Sequence, residues 1–141
     1  RIWLPLSAMS DPLVYPTADE IHAIHEQIIA RNAESEPGIR TPEAIQSALT
    51  YVSEGYFGER PETIHRKAAH LMRLIAADHP YVDGNKRTAL AAAAYLYDLN
   101  GYELHADDRF REFLRSFATD AETTDMDALV SHLRAQTAKK H

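Results

Sequence analysis

The sequence contains no cysteine, which excludes disulfide bonds and thiolate metal sites. It also lacks a long hydrophobic run, since the longest, from Ala89 to Tyr97, is far shorter than the ~20 apolar residues that a membrane helix needs. No charged segment followed by an apolar one, the pattern of a signal peptide, opens the sequence as given. We therefore expect a protein of the reducing cytoplasm that has no membrane partner.

Basic residues are too few for a surface built to bind nucleic acid. The chain has 15 Lys and Arg against 21 Asp and Glu, which gives a net charge of −6 with neutral histidines. A surface that tracks the phosphates of a nucleic acid carries a positive excess instead. We therefore expect no direct contact with nucleic acid, although this balance still allows a small basic pocket.

The composition that remains is that of one soluble globular domain, with 45% hydrophobic and 26% charged residues among 141. Apolar residues recur at helical spacing along most of the chain. Thr17 and Glu20 form a capping box, which predicts a first helix that continues to about Arg31. Thr41 as N-cap and Pro42 as the first helical residue predict the start of a second helix.

The middle of the chain predicts two longer helices. Pro61 begins the third, which must end near His79 because Pro80 pushes the preceding residue out of the helical region. An alanine-rich fourth helix is predicted over residues 85–100, with Gly101 as its C-cap glycine.

The last third of the chain predicts two more helices, marked by apolar residues at 110–117 and 129–133. Residues 102–107 connect them to the fourth helix and are briefly extended in this interpretation. Residues 1–16 contain three prolines and are predicted to be an irregular arm. The sequence therefore predicts an all-α fold, in which residues 17–138 form a single compact bundle of about six helices.

The segment from His79 to Thr88 combines an imidazole, a carboxylate, a glycine, an amide and two adjacent cations. Lys86 and Arg87 fall in the first turn of a predicted helix, where the helix dipole favours anions and cations cost stability. A phosphate bound at this helix start would resolve the conflict, because free N–H groups and both cations would face it.

Each of these residues also has an ordinary structural interpretation. A histidine at a helix end is usually solvated, an Asp-Gly-Asn segment is a common turn or cap, and a Lys-Arg pair can lie on a solvated face. Their occurrence together on one loop and helix start favours a functional site.

The same residues provide the groups that phosphoryl transfer requires, which are mainly positioning and neutralisation of charge. N–H groups from Gly84 to Arg87 can hold a phosphate, which Lys86 contacts as a point charge and Arg87 can grip with two hydrogen bonds. Asp83 is a hard oxygen donor suited to Mg²⁺. His79, with a reference pKa of ~6.5, can take a proton from a hydroxyl group.

Residues 79–87 resemble the signature of the Fic/Doc superfamily, H-[PX]-F-x-[DE]-[GA]-N-[GK]-R. Nine consecutive positions, most of them specified, make this resemblance specific. A softer resemblance extends to Thr17–Ile29, Gly38–Arg40 and Asn100–Tyr102. The resemblance implies a Fic/Doc-like fold in which Ser53–Arg60 is the flap that holds the target peptide. Within it, Gly55–Gly58 break the helical pattern and could form a short turn or hairpin.

Lys86 and Leu90 separate two branches of this superfamily. Fic nucleotide transferases usually carry a glycine where this sequence has Lys86 and a second arginine where it has Leu90. Lysine at the first of these positions is what Doc toxins carry. A further departure, Tyr81 for the usual phenylalanine, predicts an anchor in the core whose hydroxyl group needs a partner or water.

The resemblance to the Doc branch implies a protein kinase that uses Mg²⁺ and ATP, or another NTP, to transfer the γ-phosphate to a hydroxyl group. The target in that branch is elongation factor Tu, and a Phd-like antitoxin neutralises the toxin. The resemblance implies that His79 is the catalytic base and Asp83 the Mg²⁺ ligand. The phosphate-binding nest that it implies consists of Gly84, Asn85, Lys86 and Arg87.

Two alternatives stay open at this point. One is a Fic-type transferase that moves AMP or another NMP to a hydroxyl group, against which Lys86 counts. The other is a non-catalytic helical domain that binds a partner and retains a relict phosphate site, against which the intact motif counts. The histidines on predicted helices are assigned to surface or boundary positions: His22, His25, His65, His70 and His132.

Overall fold

A computed structural model describes residues 13–55, 61–120 and 124–140 of the chain. The helices in these ranges are α1 (Ala18–Ala30), α2 (Ala44–Glu54), α3 (Ile64–Asp78), α4 (Asn85–Leu99), α5 (Arg109–Asp120) and α6 (Met126–Ala135). Two short strands, β1 (Tyr102–Leu104) and β2 (Thr137–Lys139), pair antiparallel. The predicted all-α bundle of about six helices is confirmed, and the residues after α4 are extended as expected.

The start of α1 has the predicted capping box. The Thr17 hydroxyl accepts a hydrogen bond from the Glu20 N–H at 3.1 Å, and the Glu20 carboxylate accepts one from the Thr17 N–H at 2.9 Å. Two N–H groups that the helix leaves unpaired are thereby satisfied. Glu20 also accepts a hydrogen bond from the hydroxyl group of Tyr95, which ties α1 to α4.

The predicted start of the second helix is wrong by two residues. Thr41 is not the N-cap of α2, since its N–H donates to the Pro80 carbonyl at 3.1 Å. Pro42 lies in the following turn, and the helix begins at Ala44 after Glu43, whose side chain makes no cap hydrogen bond. A contact with a distant segment therefore determines where this helix starts.

The third helix also begins later than Pro61. Thr63 is its N-cap, and the Thr63 hydroxyl accepts a hydrogen bond from the Arg66 N–H at 3.1 Å. The hydroxyl oxygen satisfies a free N–H of the first turn, which proline could not do at that position. The end of α3 at Asp78, just before His79, agrees with the prediction.

The predicted flap, Ser53–Arg60, falls only partly on described residues. Ser53 and Glu54 form the last turn of α2, and Gly55 is its C-cap. Residues 56–60 lie outside the described residues.

The alanine-rich α4 lies at the centre of the bundle and packs against α1, α3, α5 and β1. Its small buried residues, such as Ala89, Ala92 and Ala93, allow neighbouring helices to approach closely. The fully buried side chains of α3 and α6 that complete this core include Leu71, Met72 and Leu129. The start of α4 is thereby held rigidly beside the loop that follows α3.

The end of α4 confirms the predicted C-cap glycine. Gly101 has a φ of +83° and directly follows the C-cap residue Asn100. The Asn100 side chain exchanges two hydrogen bonds of 2.8 Å with the backbone of Val14, which fixes the segment before α1. Residues 1–12 lie outside the described residues, so the boundary of the predicted arm stays a prediction. None of the helices in the described ranges has the length and apolar character needed to span a bilayer.

Candidate active site

The candidate site lies in the loop between α3 and α4. His79 ends α3 in the left-handed conformation, with φ 49° and ψ 58°. Pro80 disfavours the right-handed helical region at His79, and a left-handed residue with a Cβ costs roughly 1–2 kcal/mol. Such strain in a non-glycine residue is most often found at functional positions. The half-buried His79 lines a cavity, described below, that the motif loop forms.

Tyr81 and Asn85 close this loop on itself. The Asn85 side chain accepts a hydrogen bond from the Tyr81 N–H and donates one to the Tyr81 carbonyl, both at 2.9 Å. The Asn85 amide is therefore used to hold the loop, so the contribution of Asn85 to the expected phosphate nest is its backbone N–H.

Two histidines of α1 hold the same loop from the other side. The ring of His25 stacks on that of Tyr81, and His25 Nε2 lies 2.8 Å from the Asp83 carbonyl oxygen. Because a carbonyl only accepts, Nε2 carries the proton and donates. His22 Nδ1 lies 2.8 Å from the Tyr81 hydroxyl, within hydrogen-bond distance, and burial raises the pKa of Tyr81, so this hydroxyl group stays protonated. The expected partner for this hydroxyl group is thereby identified.

The surface or boundary assignment of the helix histidines was wrong for His25, which is 3% exposed, and for His132, which is 9% exposed. Both have hydrogen-bond partners that belong to distant segments. His22 and His25 are the site residues that the sequence did not reveal. Their spacing of three places both on one face of α1, but nothing in the sequence says that this face meets the motif loop.

The Asp83 carboxylate is fixed by two backbone donors. Oδ1 accepts from the Gly84 N–H at 2.7 Å, and Oδ2 accepts from the Glu36 N–H at 3.2 Å. These hydrogen bonds, first that of Gly84 and then that of Glu36, hold the pKa of Asp83 below its usual value, and the charge of Arg87 acts in the same direction. Asp83 is therefore ionised at neutral pH.

Asp83 is suited to bind Mg²⁺ only where water and the phosphates of the substrate provide the other ligands. Among the described residues, no group of three or more His, Cys, Asp or Glu could hold a metal ion. Mg²⁺ is commonly bound by one or two carboxylates together with water and substrate phosphates. A single anchored and ionised carboxylate fits that arrangement.

The first turn of α4 exposes backbone donors. Gly84, at φ +79°, is the N-cap and provides no side-chain cap, and its own N–H is taken by Asp83. Within residues 13–55, 61–120 and 124–140, the N–H groups of Asn85, Lys86 and Arg87 have no recorded partner. Three N–H groups at a helix start, next to two cations, form a site of the kind that binds phosphate.

Gly84 and Arg87 connect this turn to α1 and the segment that follows it. A Cβ on Gly84 would lie 3.1 Å from Ile29 Cδ1 and 3.6 Å from the His25 ring. Arg87 donates a hydrogen bond to the Ser35 hydroxyl at 2.9 Å. The helix start is therefore packed on one side and open on the other.

An extended segment that the sequence did not predict lies against the loop. Ile39 forms an antiparallel bridge with Tyr81, and the Val82 N–H donates to the Gly38 carbonyl at 3.0 Å. Arg40 N–H donates to the Pro80 carbonyl at 2.7 Å. The loop is thus restrained by this segment as well as by α1.

The motif residues meet in one cavity of about 360 Å³. It is lined by His79, Val82, Asp83, Gly84, Asn85, Lys86, Arg87 and Ala118. All six residues proposed from the sequence are brought together here. Ala118 of α5 is the one residue in this lining that lies outside the motif.

Comparison with known proteins identifies the relatives of this chain. The sequence model of the Fic/DOC family matches residues 15–97, more than half of the chain. The chain is 41% identical over 70 residues to the protein named Toxin Doc of Mycolicibacterium smegmatis. That match covers 48% of this chain and 52% of the relative, so the similarity spans about half the length of the relative.

Proposed function

The chain belongs to the Fic/DOC family, and from this premise we propose that it is a Doc-like toxin that transfers the γ-phosphate of ATP, or another NTP, to a hydroxyl group of a target protein. The observation that supports this most directly is the cavity lined by His79, by Asp83 and by the first turn of α4. An imidazole, a carboxylate and the N–H groups of a helix start line one space, which supports a role for them as base, metal ligand and anion site.

The terminal phosphates of the nucleotide bind at the start of α4 in this proposal. The N–H groups of Asn85, Lys86 and Arg87 point to the anion, and the dipole of a 15-residue helix favours it. The Lys86 and Arg87 side chains are exposed at this turn. Their charges stabilise the phosphoryl group while it moves, which is the main requirement of this reaction.

Asp83 would hold Mg²⁺ together with oxygen atoms of the phosphates. The metal, when bound, neutralises the charge that develops on the β- and γ-phosphates. The protein contributes the position of the carboxylate, which the Gly84 and Glu36 N–H groups fix.

His79 acts as the general base. Its imidazole takes the proton from the target hydroxyl group, whose oxygen forms a bond to the γ-phosphorus. The bond from the γ-phosphorus to the bridging oxygen breaks, and ADP leaves with that oxygen. The products are a phosphorylated target and a nucleoside diphosphate.

The target and the inhibitor follow from the family resemblance. The printed name of the relative is that of a toxin, and a cytoplasmic toxin of this kind must be held silent. We infer that elongation factor Tu is the target and that a Phd-like antitoxin supplies the inhibition.

The test is transfer of label from γ-³²P-ATP to purified elongation factor Tu. We expect label on the target with the unmodified protein and Mg²⁺, and loss of most of it when EDTA is in excess. Asp83→Asn keeps the shape of the side chain and removes its charge, so transfer should collapse while the melting temperature changes little. Transfer that persists equally with the chelator would contradict the role of the metal.

A further inference from the structure

A second cavity, of about 420 Å³, adjoins the one in which the motif residues meet. Lys86 and Arg87 line both, so the two cavities are neighbours across the start of α4. The residues that line only the second cavity are Leu90, Asp107, Asp108, Phe110, Arg111, Leu114 and Arg115. Most of them belong to the first two turns of α5 or precede it.

One face of α5 runs along both cavities. Arg111, Arg115 and Ala118 are spaced by four and then three residues, which places them on the same side of the helix. The two arginines line the second cavity, and Ala118 lines the first. A ligand that extends from the motif loop along this face would therefore pass from Ala118 to the arginines.

The lining of the second cavity has an excess of positive charge, since it contains four cationic side chains and two carboxylates, those of Asp107 and Asp108. Among the described residues, no hydrogen bond or ion pair engages the guanidinium group of Arg111 or Arg115. Like charges spaced by four on a helix are destabilising. One of the two carboxylates here, that of Asp107, is held by His132 at 2.8 Å. Such a cluster, in a chain of net charge −6, is suited to an anionic ligand.

The floor of the cavity is apolar. Phe110 and Leu114 are buried beneath the arginines, and Leu90 adds a half-buried aliphatic side chain from α4. An apolar floor with a basic rim fits a ligand with a flat, weakly polar ring and a phosphate attached to it. A nucleoside with its first phosphate has this chemistry.

We propose that the second cavity binds the nucleoside and the innermost phosphate of the nucleotide, and that Arg111 and Arg115 are its phosphate-binding residues. This inference rests on the proposed function, since it continues the same ligand whose terminal phosphates lie at the start of α4. Two guanidinium groups of α5 then contribute charge along the phosphate chain where α4 presents Leu90 instead of a cation.

The test is calorimetric binding of ATP and, separately, of inorganic pyrophosphate to the full chain without target, both with Mg²⁺. Arg111→Gln and Arg115→Gln should each weaken ATP binding about 10-fold, the usual effect of losing one charge-assisted hydrogen bond. Pyrophosphate occupies only the start of α4 in this proposal. Its dissociation constant for each variant should therefore stay within about twofold of the value for the unmodified protein. Both arginines are exposed, so the melting temperature should stay unchanged.

Arg134→Gln is the matched control. It removes the same charge from α6, near His65 and Tyr97 at the other end of α4. The inference would be overturned if the variant that carries both Arg111→Gln and Arg115→Gln bound ATP as tightly as Arg134→Gln does. It would also be overturned if that variant lost pyrophosphate binding as much as it lost ATP binding. Absence of ATP binding by the unmodified protein would overturn it as well.

The binding assay separates this inference from the proposed reaction. If ATP binding depends on the α5 arginines but no label reaches a target, the site stands and the reaction is wrong. If label is transferred but ATP binding does not depend on them, the reaction stands and the assigned site is wrong.

Discussion

The ring of His25 lies flat on the ring of Tyr81, with centroids 3.7 Å apart and planes within 7°. The same histidine donates a hydrogen bond to the Asp83 carbonyl, one residue before Gly84, where the proposed phosphate site begins. A side chain of α1 therefore fixes the conformation of the motif loop without itself lining the cavity of the motif residues. His25 is in this account a positioning residue.

We expect His25→Phe to lower both stability and transfer. Phenylalanine can keep the stacking on Tyr81 but leaves the Asp83 carbonyl without its donor, at a cost of ~1–3 kcal/mol. A displaced Asp83 should lower the rate of transfer about 10-fold or more, because positioning dominates this chemistry. Urea unfolding and the initial rate of γ-phosphate transfer measure the two effects.

Tyr81→Phe is the control for the His25 substitution. It removes only the hydroxyl contact with His22, so it should cost ~0.5–1.5 kcal/mol and leave the rate within a few-fold. If His25→Phe transfers the γ-phosphate as fast as Tyr81→Phe does, His25 does not have the positioning role.

We expect Gly84→Ala to destabilise the protein more than Gly101→Ala. Both glycines have a positive φ, at +79° and +83°, so each substitution carries the ~1–2 kcal/mol cost of a left-handed residue with a Cβ. Only at Gly84 would the new methyl group press on Ile29, at 3.1 Å, whereas at Gly101 it meets no described atom within 4 Å. The difference in unfolding free energy should be ~1–3 kcal/mol. Equal destabilisation would show that Gly84 is needed only for its conformation.

We expect His79→Asn to remove activity without loss of stability. Asparagine tolerates the left-handed conformation of this position, whereas His79→Ala should be less stable by roughly 1 kcal/mol. Both should lower transfer by ~10²–10⁴-fold, the usual contribution of a general base. Melting temperatures and transfer rates of the two variants check this. Retained transfer in the stable Asn variant would remove His79 from the role of base.

We expect His70 to weaken the folded state as the pH falls below 6.5. Burial first, and then the charges of Arg73 and Arg66, lower the pKa of His70 to about 4. Its Nδ1 accepts a hydrogen bond from Arg73 at 3.1 Å, which protonation would break. Between pH 4 and pH 6.5 the unfolded chain then binds more protons than the folded one, so stability rises with pH in this window.

His70→Gln tests this pH dependence. Unfolding free energies at several pH values from 7.5 to 4.5 should fall less steeply for the variant, since the other titrating groups are common to both proteins. The same slope in both proteins would show that His70 titrates normally in the folded state.

Much of the fold was predictable where local chemistry determines it. The capping box of Thr17 and the glycine that ends α4 depend on neighbouring residues, and both predictions are confirmed. The start of α2 was predicted wrongly because the N–H groups of Arg40 and Thr41 both donate to the carbonyl of Pro80, some forty residues away. That contact holds the backbone of Arg40 and Thr41 against the motif loop, and no local pattern in the sequence indicates it.

The candidate site likewise contains residues that the sequence could indicate and residues that it could not. His79, Asp83 and the first turn of α4 are contiguous, so the sequence alone could indicate them. Residues that meet the loop from other helices could not be found, because only the packing of α1 and α5 brings His25 and Ala118 to it. The α5 arginines were missed for the same reason.

In the proposed reaction the protein transfers the γ-phosphate to its target, and not the nucleotide. The most direct measurement incubates the protein and purified elongation factor Tu with ATP labelled at the α- or at the γ-phosphate, in parallel reactions. We expect label on the target from γ-labelled ATP only. Most of that label should be lost with Lys86→Gly, because this variant lacks the cation that stabilises the moving phosphoryl group. Label on the target from α-labelled ATP with the unmodified protein would contradict the account and identify a nucleotide transferase instead.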